Sequence, residues 1–113
     1  MKVKVIYPVR PDWREFENRE FDVGEVEVDS PEYVCELMFA GFNNVIEDPQ
    51  PGGFGYWSNK FGIRSMSMGD YVEVDSDLYR CEAVGFVKVE KVEAVDCMGR
   101  TLSKKLKELE INE

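Results

Sequence analysis

Tyr71-Val72-Glu73-Val74-Asp75-Ser76-Asp77-Leu78-Tyr79-Arg80-Cys81 carries the clearest β signal in the chain. Two short runs rich in β-branched, aromatic and aliphatic residues flank Asp75-Ser76-Asp77, whose short polar side chains favour a tight turn, so the segment predicts an antiparallel hairpin. Downstream, residues 86–95 predict a further strand anchored by Val87, Val89, Val92 and Val95, with a bulge where the parity changes between Val89 and Val92. At the N-terminus Val3, Val5 and Tyr7 alternate with Lys2, Lys4 and Ile6, the period of a half-buried strand, and Pro8 and Pro11 end it.

Between these β segments lies one helical signal. Ser30-Pro31 pairs a helix N-cap with a proline at the first helical position, where the missing N–H costs nothing. Val34, Leu37, Met38, Gly41 and Phe42 then recur at helical spacing, and Asn43-Asn44 signals an end, so a helix is expected from Ser30 to Asn44. Just before it, Val26 and Val28 alternate with Glu25, Glu27 and Asp29 and predict a strand with one apolar and one carboxylate face. Residues 12–21 read as a loop or a short helix carrying Trp13, Phe16 and Phe21 inward. The proline and glycine density of residues 49–57 predicts a long turn, and Leu102, Leu106 and Leu109 with Lys104, Lys105 and Lys107 predict a short amphipathic C-terminal helix. The expectation is a single α+β domain over residues 1–113, a mostly antiparallel, curved sheet packed on one main helix.

A chain of 113 residues buries roughly two-thirds of the surface its unfolded form exposes, so it needs neither disulfide nor metal staple. Histidine is absent, which removes imidazole bases, Ser-His-Asp and Cys-His nucleophiles and every zinc site that needs a His ligand. Asp75-Ser76-Asp77 lacks the remainder of a calcium loop, since Phe86 stands where a closing Glu belongs. No catalytic, metal or cofactor residues are therefore assigned. Cys35, Cys81 and Cys97 form no Cys-x-x-Cys pair and read as reduced packing residues of a cytoplasmic protein. Neither a signal-peptide core nor a membrane-spanning run is present in the sequence, so no membrane association is expected.

Gly62-Ile63-Arg64-Ser65-Met66-Ser67-Met68-Gly69-Asp70-Tyr71, followed by Tyr79 and by Gly85-Phe86, resembles the YodL-like family of small domains carried by phages and other mobile elements. Phe42-Asn43 is similar to that family's upstream Phe-Asn element, and Tyr71 stands where the family pattern has an aliphatic residue. The resemblance implies a mobile-element setting and assigns no catalytic residue. Physically, Ser65, Ser67 and Asp70 are suited to fixing a turn into the following strand, Gly69 to a positive φ there, and Arg64 either to pairing with Asp70 or to projecting outward.

The net charge is −9, and residues 12–36 hold ten acids against Arg14 and Arg19, a local excess of eight. Such a chain is a poor direct ligand for nucleic acid. Glu15, Glu17, Glu20, Asp22, Glu25, Glu27 and Asp29 form a candidate surface for a basic partner; on a strand, Glu25, Glu27 and Asp29 would repeat every ~6.7 Å and imitate a phosphate track. The bland account of the same residues is a solvated, solubilising face. Phe54, Tyr56 and Trp57, interleaved with glycines, are the alternative contact surface. The leading expectation is a non-enzymatic phage or mobile-element accessory protein that binds, and by binding inhibits, a basic nucleic-acid-handling host protein. The alternative is a structural or regulatory interaction module using the aromatic loop. Neither reading fixes an oligomeric state.

Overall fold

In the computed structural model, which describes residues 1–43 and 53–102, the predicted hairpin forms from β3 (Tyr71–Val74) and β4 (Asp77–Cys81). Asp75 and Ser76 both have positive φ, 48° and 75°, which matches the twist of the flanking strands and makes this a two-residue turn. Asp75 then ties the hairpin to β1 (Lys2–Tyr7): its carboxylate accepts the Lys2 N–H at 2.7 Å and its own N–H donates to Lys2 O at 2.9 Å. With β2 (Arg19–Glu25) and β5 (Phe86–Val89), these strands make one five-stranded sheet in the order β2-β1-β3-β4-β5, antiparallel at every pairing.

The helix α1 (Pro31–Gly41) starts as the sequence predicts, with the Ser30 hydroxyl accepting the Tyr33 N–H at 3.3 Å and Pro31 opening the first turn. It stops at Gly41, before Asn43-Asn44, because Phe42 leaves the helical conformation and turns fully into the core. Val34, Met38 and Phe42 meet Val3, Val5, Tyr7, Phe21, Val72, Val74 and Tyr79 from one face of the sheet. A second helix, α2 (Tyr56–Phe61), occupies the end of the expected long turn. It starts at Gly55 in the left-handed conformation and seats Trp57 so close to α1 that a Cβ on Gly41 would stand 2.5 Å from the indole Cδ1. Residues 49–52 of that turn, Asn44, and the C-terminal helix expected beyond Leu102 lie outside the described residues.

Two strand expectations are corrected. Residues 26–29 are not a strand: pairing ends with Val26 on Met1, after which the Val28 N–H turns back to Val26 O at 3.1 Å. Val26 and Val28 do pack on the core, so the alternation encoded burial without encoding a ladder partner. Likewise β5 ends at Val89, and the parity change marks the chain leaving the sheet. Residues 90–96 cross the opposite sheet face, where Val89 and Val92 cover Ile6, Tyr71 and Leu78 and the Glu93 N–H donates to the Tyr71 hydroxyl at 3.1 Å. Val95 is buried, Val87 stays about half exposed, and the bulge lies instead in β2, between the Val3–Gly24 and Lys4–Asp22 pairs.

Candidate functional site

Edge strand β2 carries the acidic surface. Val23 is the extra residue of the bulge; Gly24 follows it at φ 91°, and its N–H donates to the Asp22 carboxylate at 2.9 Å. Glu20 and Asp22 stand opposite Ile6 and Lys4 in register, on the sheet face away from α1. Glu17, Glu20, Asp22, Glu25, Glu27 and Asp29 are all exposed. Glu25 lies 3.2 Å from the Met1 amino group, and Lys2 and Lys4 line a shallow depression with Asp22, Glu25, Glu73 and Asp75. Because Glu27 and Asp29 follow the end of β2, the evenly spaced row expected for Glu25, Glu27 and Asp29 does not form. What the structure brings together is an acidic edge that bends off the sheet toward α1.

Glu15 belongs to a different constellation. Its carboxylate holds Arg64 at 3.0 Å and 3.4 Å, and Arg64 grips both oxygens of Asp70 at 2.8 Å and 3.1 Å. Arg10 reaches the same Asp70 at 3.2 Å and also donates to the Met68 carbonyl. Both Arg10 and Asp70 are 0% exposed. The Trp13 ring stands over both guanidinium groups, 4.3 Å from Arg10 and 4.8 Å from Arg64. Asp70 further accepts the Ser67 N–H at 2.8 Å, so Ser67 enters the turn through its backbone, and Gly69 adopts φ 89° beneath Gly99. Burial alone would lower the Arg64 pKa, but hydrogen bonds to Asp70 and Glu15 outweigh it and raise the value; Arg10, which hydrogen-bonds only one carboxylate, is lowered by burial.

The Arg64, Ser65, Ser67, Gly69 and Asp70 motif is thus the internal anchor of the domain, resolving the choice between an inward and an outward Arg64. Two positive and two negative charges oppose one another within it, which leaves the net charge of −9 undiminished. Arg10 was not legible in the sequence, since its partner lies sixty residues away and nothing beside it but two prolines marks the position.

The aromatic candidates separate. Phe54 is 53% exposed, whereas Trp57 stacks on Phe61 at 6.0 Å and packs against the core. Tyr56 meets Trp57 edge-on at 4.9 Å. They form a helical buttress for α1, with Phe54 alone fully outside. Of the segment expected to turn Trp13, Phe16 and Phe21 inward, only Phe21 enters the core; Phe16 is exposed and Trp13 caps the arginines. The cysteines also differ from expectation in one case: Cys35 and Cys81 are buried, while Cys97 is exposed.

Among the described residues no three Cys, Asp or Glu side chains are placed to hold a metal ion, and no helix is long and apolar enough to cross a membrane. No known protein family, curated protein or solved structure matches this chain.

Proposed function

We propose that this chain is a non-enzymatic binding protein that offers the β2 edge and the segment after it to a basic, nucleic-acid-handling host protein, and that occupying that partner's basic surface inhibits it. The observation that carries this reading is the exposure of six carboxylates, Glu17 to Asp29, which outnumber the cations beside them, Lys2, Lys4, Arg14 and Arg19, while Arg10 and Arg64 are turned inward. Carboxylates gathered on one edge steer a basic partner and repel nucleic acid itself. The setting proposed is the host cytoplasm, as an accessory of a phage or other mobile element, on the strength of the motif in residues 62–86. The same charges also protect an edge strand from pairing with other chains, and salt separates the two roles. Affinity capture from a host lysate at about 0.05 M and about 0.5 M salt tests the proposal. Basic nucleic-acid-handling proteins retained only at low salt are expected; retention of acidic or neutral proteins alone, insensitive to salt, would count against it.

A further inference from the structure

The acidic edge is also an open strand edge. Lys2 O accepts the Asp75 N–H at 2.9 Å, so Lys2, Lys4 and Ile6 aim their main-chain groups at β3, and Val3, Val5 and Tyr7 aim theirs at β2. The Lys4–Asp22 and Ile6–Glu20 pairs therefore exchange no main-chain bonds, and the N–H and C=O of Glu20 and Asp22 point to the outer side of β2. No backbone group of the described residues meets them there. Both side chains are exposed on the face away from α1, and neither forms an ion pair among the described residues; Asp22 uses one carboxylate oxygen on the Gly24 N–H. Phe21, between them, points to the α1 face, where the ring of half-buried Phe61 lies 5.3 Å away.

We propose that β2 takes an extended segment of the basic partner as an added antiparallel strand, with Arg or Lys at alternate positions and apolar residues between them. The inference rests on the proposed binding through this edge and adds how the partner is held. Glu20 and Asp22 each exchange two main-chain hydrogen bonds with the partner residue opposite, and directly opposed residues share a face of the sheet. Those two partner residues set their side chains beside the Glu20 and Asp22 carboxylates, about 6.7 Å apart. The residue between them falls opposite Phe21, on the apolar face beside Phe61. Cations and apolar residues alternate in the partner because acids and an apolar residue alternate in Glu20-Phe21-Asp22. The bulge at Val23 ends the regular edge and keeps the added strand short. A second copy of β2 is disfavoured, since its own Glu20 and Asp22 would stand directly opposite these carboxylates.

The probe is a capped hexapeptide alternating Arg and Val, titrated at about 0.05 M salt into the ¹⁵N-labelled full chain and followed by amide shifts. Shifts at residues 19–25 are expected. Methylating the Arg main-chain nitrogens, which face β2, leaves the charge intact and should weaken binding about tenfold, the loss of two hydrogen bonds. Methylating the Val nitrogens instead, which face away from β2, should change it less than about twofold. The Glu20→Gln, Asp22→Asn double variant should weaken binding about threefold or more. Equal binding by the two methylated peptides, with shifts still at residues 19–25, would overturn the added strand and leave the acidic edge as the binding surface. Shifts confined to other residues, or an affinity unchanged in the double variant, would overturn both proposals, and no shifts at millimolar peptide would overturn the added strand.

Discussion

The Arg10 guanidinium and the Asp70 carboxylate stand 3.2 Å apart, with neither side chain exposed to solvent. The two partners are not equivalent. Asp70 has Arg64 and the Ser67 N–H besides, whereas Nε and Nη1 of Arg10 have no hydrogen-bond partner.

Removing Asp70 therefore strands a buried cation. Asp70→Ala is expected to cost about 3–5 kcal/mol in urea unfolding, and Arg10→Met at least about 2 kcal/mol less, because it removes two unsatisfied donors and leaves Asp70 paired. Equal losses would show that Arg10 contributes more than its contacts indicate.

Gly41→Ala sets two effects against each other. Alanine gains about 1 kcal/mol of helix propensity, but its Cβ would stand 2.5 Å from a Trp57 ring already stacked on Phe61. Overpacking of this kind costs about 1–3 kcal/mol, so net destabilisation is expected, relieved when Trp57→Leu is added. Thermal melts of the single and double variants decide it.

The hairpin and the helix start were legible because each is written locally, Asp75-Ser76 by turn chemistry and Ser30-Pro31 by capping. What the sequence did not reveal depends on distant partners. Val26 and Val28 alternate as a strand would, yet alternation reports which side chains are buried, and their backbone turns away after Met1. Gly and Pro around residue 52 obscured a helix as short as α2, and its fit depends on Gly41 in another element. The Arg64–Asp70 pair was among the alternatives, being six residues apart, while the contact of Arg10 with Asp70 arises only on folding.

Thiol reactivity should divide one against two. Burial, then nearby carboxylates, pushes the Cys35 thiol up to about 12 and the Cys81 thiol up to about 11, while Cys97 is exposed. With Ellman's reagent at pH 8, one thiol is expected to react promptly and two only as urea unfolds the chain. Three prompt thiols would contradict the packing.

Acid should weaken the turn that closes over Met68. Burial would raise the Asp96 pKa, but the N–H groups of Arg100 and Met98 and the Arg100 side chain outweigh it and hold it below the ordinary value. Since the folded value is depressed, its stabilisation is present above the unfolded pKa of about 3.9 and is lost as pH falls through the folded value. Asp96→Asn should lower stability at pH 7 and flatten the fall below about pH 4. A variant that loses stability in parallel with the wild type throughout that range would show another group responsible.

Binding through the acidic edge requires that the affinity for a captured basic partner fall steeply with salt. The wild type is compared with a variant combining Glu17→Gln, Glu20→Gln, Asp22→Asn and Glu25→Gln. The wild-type Kd is expected to rise more than about tenfold between 0.05 M and 0.5 M salt, with the variant weak at low salt and nearly flat. Equal affinity and an equal salt slope in the two proteins would mean that the partner does not bind through the acidic edge.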